Sequence, residues 1–338
     1  MNPLVSILIP AFNSQEWIAA TIRSAMNQTW GSKEIVIVDD GSTDSTQEIA
    51  RQFECANVLV VSQENEGASA ARNKALSCSQ GDYIQWLDAD DLICREKIAL
   101  QMDQVNNGES ARTLLSSEWA YFLYRPHRAI FEPTALWADL TPTEWLIRQM
   151  SLNLHMQTST WLVSRELTTS AGPWDTRLST DDDGEYFARV LRKSSAVKFV
   201  PGAKTYYRVR GSSSLSYIGN SRRKLESQLL SMRLRIGYLR TLEQGQRVDA
   251  AILSYLETWY PLFFPGHPDL IAELQRLAES AGGSLAEPQL SRKYSWLRKL
   301  FGWRVAQRTG TVLRGLKWSA LAQWDRFCSR FDSGSLLR

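Results

Sequence analysis

The chain has 338 residues, 43% of them hydrophobic, and a formal net charge of +3. That length accommodates one large domain with an appendage, or two domains, and the near-neutral balance gives no global pull towards nucleic acid. Four cysteines (Cys55, Cys78, Cys94, Cys328) form no C-x-x-C pair and three histidines (His127, His155, His267) show no metal-ligand spacing, which excludes a disulfide framework and a zinc site.

In chain order, Leu4 to Pro10 reads as a buried first strand closed by proline, followed by the loop Ala11-Phe12-Asn13. Asn13 with Glu16 has the spacing of a capping box. The helix behind it places Ile18, Ile22, Ala25 and Met26 on one face, at the period of a core-facing helix. Glu34 to Val38 is a second, continuously apolar strand, as a parallel sheet covered on both faces requires. It runs into Asp39-Asp40-Gly41-Ser42-Thr43-Asp44, and Ser45 with Glu48 makes a second capping-box pattern. Val58 to Val61 is the third strand, and Gly67 to Leu76 is a helix of small residues that carries Arg72 and Asn73.

The fourth strand, Tyr83 to Leu87, ends in Asp88-Ala89-Asp90-Asp91. Four strands alternating with three helices predict a doubly wound α/β unit, whose right-handed crossovers bring every strand's C-terminal end to one edge. Phe12, Asp40 and Asp88 to Asp91 are therefore expected to converge, where open α/β sheets bind ligands. An Asp-x-Asp there suits a hard divalent cation shared with a substrate's phosphates, although a solvated acidic turn has the same composition. The first βα turn, Pro10 to Ser14, contains no glycine, and neither a G-x-G-x-x-G nor a Walker A loop occurs, so a dinucleotide-binding Rossmann domain is not supported.

Further on, Ile98, Met102 and Val105 suggest a helix, Glu118 to Phe122 a strand, Thr143 to Met150 a helix, and 156–163 another strand. A turn at Gly172 to Asp175 leads to Asp181-Asp182-Asp183 at the start of a helix with Tyr186, Phe187, Val190 and Leu191 on its apolar face. Carboxylates there either favour the helix dipole or, by raising one another's proton affinity, suit a general base. Glu185, four residues before Arg189, reads as a surface ion pair.

These stretches in this order resemble the family-2 inverting glycosyltransferases of the GT-A fold, bacterial branch, over about residues 4–215. The resemblance rests on Ser6 to Asn13, Glu34 to Asp44, Gln63 to Asn73, Gly81 to Asp91, and Asp182-Asp183 six residues ahead of Arg189. It implies a Rossmann-like mixed sheet flanked by helices, with a nucleotide-sugar half over about 1–92, an acceptor half over about 93–215, and a helical C-terminal region over 216–338. By resemblance, Pro10 and Phe12 wall the base pocket, and Asp40, supported by Arg72, hydrogen-bonds the base. Asp88 touches the ribose, Asp90 ligates Mn²⁺ or Mg²⁺, Asp91 borders the sugar, Asp182 stands where relatives have Glu, and Asp183 is the base. Where many relatives complete the metal site with a histidine, this chain has Arg210, which cannot ligate a cation and instead suits a diphosphate. The loop Gly211 to Ser214 beside it is either a donor-closing loop or a plain surface loop.

From about 216 the composition changes. Residues 221–256 read as two helices, Pro261 to Pro268 breaks the pattern, and Leu270 to Ala281 is a helix. Between 290 and 338 there are eleven Lys/Arg, two acidic residues and four tryptophans (Trp296, Trp303, Trp318, Trp324), with apolar residues at helical spacing. A cationic amphipathic segment of this kind is expected to lie on a membrane interface, its alternative being to pack on the catalytic domain or a second subunit.

The expected function is an inverting transfer from a nucleoside diphosphate donor, UDP-linked, to a hydroxyl of a glycan or lipid-linked acceptor in cell-envelope polysaccharide synthesis. The alternatives are a catalytically silent nucleotide-sugar-binding or scaffold subunit and a nucleotidyltransferase, although the latter's glycine- and lysine-bearing phosphate loop is missing. With no signal peptide and no run near the roughly 18 apolar residues of a membrane span, the expected location is cytoplasmic, peripheral on the inner membrane, with a homo-oligomer left open.

Overall fold

The computed structural model describes residues 2–210, 218–219, 221–288 and 321–331. The loop Gly211 to Ser214 and most of the basic segment 290–338 lie outside these residues.

One eight-stranded mixed sheet organises the molecule. Its parallel part is β1 (Val5–Ala11), β2 (Lys33–Asp40), β3 (Val58–Gln63) and β4 (Tyr83–Trp86). These strands are linked by α1 (Ile18–Met26), α2 (Thr46–Arg51) and α3 (Ala68–Ser77). The remaining strands are β5 (Leu92–Ile93), β6 (Thr113–Phe122), β7 (Leu162–Ser164) and β8 (Ala196–Arg208). The strand order is β3-β2-β1-β4-β7-β6-β8-β5. β7 runs antiparallel to β4 and β6, whereas β6 and β8 are parallel. Ile7, Leu8 and Ile9 are all fully buried although their side chains alternate, so β1 is covered on both faces. Each such side chain contributes roughly 1.5–3 kcal/mol by leaving water.

Gly41, directly after β2, has φ of +69°, and a Cβ there would lie 2.9 Å from the Asn65 amide nitrogen. Only glycine fits this turn, which carries the chain over the 63–67 loop.

The helices of the second half are α4 (Lys97–Asn106), α5 (Pro142–Ser151), α6 (Arg165–Ala171) and α7 (Asp182–Lys193). They are followed by α8 (Arg222–Leu242), α9 (Gln246–Phe263) and α10 (Pro268–Glu279). Helices α7 to α10 share one hydrophobic core with a face of the sheet: Trp86, Trp161, Trp174 and Tyr186 pack with Met232, Ile236 and Tyr255. The Trp174 and Tyr186 rings stack at 4.0 Å, and Trp86 meets both edge-on at 5.2 and 5.9 Å. Much of the tryptophan content is therefore spent inside the core.

Several local expectations change. Neither capping box forms. Asn13 adopts φ of 46° and its side chain accepts from the Thr43 amide, so it ties two loops together. At α2 the Asp44 carboxylate, not Ser45, accepts from the Thr46 amide. Met26 is exposed. The stretch 156–163 is only partly strand: a 3₁₀ turn, Thr158–Thr160, precedes β7. Pro261 lies inside α9, and the break comes at Phe264 and Pro265. The Glu185–Arg189 pair forms at 2.6 Å, but Glu185 is buried, because the Tyr238 hydroxyl of α8 covers it.

Candidate active site

The C-terminal ends of β1, β2 and β4 open on one cleft of about 560 Å³. Pro10 and Phe12, Asp40, Asp88 and Asp90, Arg72, Arg210, and Asp182 and Asp183 all line it. Residues from six separate stretches are thus brought together by the sheet topology. Phe12 is 44% exposed, a large apolar ring offered to whatever enters.

Asp40 is nearly consumed by its own loop. Its Oδ1 accepts from the Gln63 side-chain amide (2.8 Å) and the Glu66 amide (3.0 Å), and its Oδ2 from the Gly67 amide (2.9 Å). A carboxylate has about four lone-pair sites, which leaves one, on Oδ2, for a ligand. Arg72 does not reach Asp40. It is buried over the Trp174 ring and bridges Asp182 (2.6 Å) and Asp88 (2.8 Å). Burial disfavours its charge, but the two carboxylates more than offset that and raise its proton affinity. Arg72 thereby joins the β4 acidic loop to the start of α7.

Asp91 is withdrawn from the cleft. It is fully buried, accepts from the Arg208 amide at 2.9 Å, and is within 3.5 Å of the Ser159 hydroxyl. Burial and the neighbouring Asp90 and Asp88 push its proton affinity well up. Its place is beneath the loop, as a support, which corrects the expectation that it borders a sugar.

Asp90 faces the cleft and pairs with Arg210 at 3.2 Å. Burial and Asp88 raise its proton affinity, with Arg210 and Arg208 opposing. Two carboxylates converging in a partly dry site form a donor set that favours a cation. Among the described residues no group of three or more His, Cys, Asp or Glu is placed to hold a metal. Asp90 with Asp88 would therefore offer a cation two carboxylates and no third ligating side chain among the described residues.

Asp183 opens α7. Its Oδ1 accepts from the Gly184 amide at 2.9 Å and its Oδ2 is 3.4 Å from the Thr158 hydroxyl. Burial, then Asp182 and Asp181, push its carboxyl up to about 7, the range that suits a base at neutral pH. The preceding Asp181 takes a left-handed backbone (φ 55°) and is gripped by α8, through Ser231 and the Arg235 guanidinium at 2.9 Å.

Some residues of the site carry no sequence signal. Thr158 and Ser69 reach the cleft from stretches that read as a strand and a small-residue helix, and Tyr207 from a stretch given no element in the sequence. Arg208 is the clearest omission. Its guanidinium lies 4.2 Å from both the Trp17 and Phe122 rings, and donates to the carbonyls of Asp90 (2.8 Å) and Leu123 (2.7 Å). An arginine in an otherwise aromatic strand end was its only clue.

The mixed sheet and the helices flanking it form a GT-A-like fold. The model of glycosyl transferase family 2 matches residues 6–166, a little under half of the chain. The putative teichuronic acid biosynthesis glycosyltransferase TuaG of Bacillus subtilis is 40% identical over 105 residues, covering 30% of this chain and 42% of TuaG. The Escherichia coli UDP-Glc:alpha-D-GlcNAc-diphosphoundecaprenol beta-1,3-glucosyltransferase WfaP is 41% identical over 100 residues, covering 29% of this chain and 40% of WfaP. The chain thus spans about two fifths of the length of these curated relatives. S. aureus TarS in complex with UDP-GlcNAc has the same fold, with a TM-score of 0.67 at 18% identity over 82% of each chain. The family match stops before α7, so the placement of Asp183 rests on geometry alone.

Proposed function

We propose that the protein is an inverting glycosyltransferase that moves a sugar from a nucleoside diphosphate donor, UDP-linked, to a hydroxyl of a glycan or lipid-linked acceptor in cell-envelope polysaccharide synthesis. The observation that carries this reading is the single cleft in which Phe12 and Asp40, Asp88 and Asp90, and Asp183 meet. The nucleotide preference is supported by the UDP-Glc in the name of WfaP and by the UDP-GlcNAc bound to TarS.

In this reading Phe12 stacks on the base against Pro10, and the spare Oδ2 position of Asp40 accepts a base N–H. Asp88, held by Arg72, faces the ribose. Asp90, with Asp88, would hold Mn²⁺ or Mg²⁺, which when bound neutralises charge on the diphosphate leaving group. Arg210 moves from Asp90 to a phosphate oxygen, a partner its planar fork fits. Asp183 takes the proton of the acceptor hydroxyl, a poor nucleophile until deprotonated. Asp182 does not take part in proton transfer but fixes Arg72. A single displacement inverts the anomeric centre and needs no covalent sugar–protein intermediate.

Calorimetric titration with UDP, GDP, dTDP and CMP, with and without Mn²⁺, tests the donor site. Binding of UDP at least tenfold tighter than the others, weakened by Asp90→Ala, is expected. No nucleotide binding under any condition would remove the donor site and favour a scaffold role. Binding indifferent to Mn²⁺ would assign the phosphate charge to Arg210 alone.

A further inference from the structure

The helix over 321–329 packs its polar side against Glu16 and residues 124–125. The Asp325 carboxylate accepts from the amides of Tyr124 (2.8 Å) and Arg125 (3.2 Å) and pairs with the Arg125 guanidinium at 2.6 Å. Arg326 pairs with Glu16 at 3.0 Å and lies over the Tyr124 ring. On the other side Leu321, Trp324, Phe327 and Phe331 are 45, 64, 52 and 75% exposed. The Phe327 ring contacts Trp324 and Phe331 at 6.1 and 5.1 Å, so the three form one continuous strip. A surface helix ordinarily buries its apolar stripe and hydrates the polar one. Here the order is reversed, and a contiguous exposed aromatic strip marks a contact surface.

Charge identifies the partner. Residues 290–338 contain eleven Lys/Arg and only two acids. One of those acids, Asp325, is turned inward and bound by residues 124–125. The exposed strip is bordered by Arg326, which pairs with Glu16 on its inner side, and by the exposed Arg330. A second copy would bring the same positive border against it. Aromatic residues flanked by arginine suit the headgroup region of an anionic bilayer.

We propose that 321–331 is a docking element for an anionic lipid surface, which the Asp325 clamp holds against Tyr124 and Arg125. That attachment connects to the cleft through Arg208: the Trp17 and Tyr124 rings are 5.3 Å apart, and the Arg208 guanidinium, which lies over Trp17, donates to the carbonyls of Leu123 and of Asp90, a residue that lines the cleft. Docking there presents the cleft to acceptors carried in the membrane. This last consequence rests on the transferase reading, whereas the lipid contact does not.

The test is co-sedimentation of the full chain with vesicles of equal parts phosphatidylglycerol and phosphatidylcholine, and with phosphatidylcholine alone, UDP binding being measured on the same samples. Wild type is expected to partition onto the anionic vesicles only. Trp324→Ser with Phe327→Ser, both outward and away from the clamp, is expected to lower partitioning about tenfold with UDP affinity unchanged. Equal partitioning of wild type and this variant would overturn the docking element. So would a wild type that ignores the vesicles and instead self-associates through the strip. Loss of UDP binding in wild type would count against the transferase reading and leave the lipid result standing.

Discussion

In the proposed reaction Asp183 takes the acceptor's proton, and its surroundings predict the pH dependence of that step. With its carboxyl near 7, only the deprotonated form can accept a proton. The kcat/KM of transfer should rise with pH and level off with an apparent pKa of about 7. The same shift acts on stability with the opposite sense. The native state binds a proton that the unfolded state, at about 4, has already lost, so this group's contribution falls as pH rises from about 4 to 7. Asp183→Asn should therefore melt no lower than wild type at pH 8 while losing at least a hundredfold in turnover; a lower melting point would contradict the burial argument. Arg208 gives a second residue-scale prediction. Arg208→Ala leaves two carbonyls without a donor and removes a cation from between two rings, so a loss of about 2–4 kcal/mol is expected in denaturant unfolding. Arg208→Lys should recover less than half, because an ammonium cannot span both carbonyls. At this scale the sequence was only partly legible. Phe12, Asp90 and Asp183 sit at strand or helix ends, where topology alone brings them to the cleft. Asp91 is adjacent to Asp90 in the chain and reads identically, but one residue turns the side chain from the cleft into the support beneath it.

At the scale of elements, the start of α7 is set from outside by α8. Ser231 and Arg235 hold Asp181, and the Ser227 hydroxyl accepts from the amides of Ser179 and Thr180. Gly184 lies against this clamp, and a Cβ there would collide with the Asp181 carboxyl and approach the Arg235 guanidinium at 2.9 Å. Gly184→Ala should displace the first turn of α7, cutting turnover at least tenfold while nucleotide affinity, set by β1, β2 and β4, changes less than threefold; equal losses in both would refute this separation. The strands β1 and β2 were readable because parallel strands buried on both faces are uninterrupted apolar runs. The stretch 156–163 was not, because its polar residues satisfy a 3₁₀ turn that no periodicity announces. The capping boxes failed for a related reason: Asn13 and Asp44 are used between loops, and pairings across the chain override a local pattern.

For the molecule as a whole, the helices after β8 belong to the same folded unit as the sheet by their packing. Met232, Ile236 and Tyr255 share the core of Trp86 and Tyr186. A chain ending at 215 should expose that core and aggregate or lose cooperative unfolding. A chain ending at 288 should remain folded and bind UDP as wild type does; thermal melts of the two truncations check both outcomes. The composition change near 216 was legible, but which surface the following helices cover was not, since an apolar face does not name its partner. The central claim is that one cleft binds a nucleotide sugar and deprotonates an acceptor through Asp183. The most direct measurement is UDP release from a UDP-sugar with a lipid-linked glycan acceptor, compared between wild type and Asp183→Asn, with UDP affinity measured on both. The account predicts matching UDP affinities and turnover lost at least a hundredfold in the variant. Turnover retained in Asp183→Asn would contradict it.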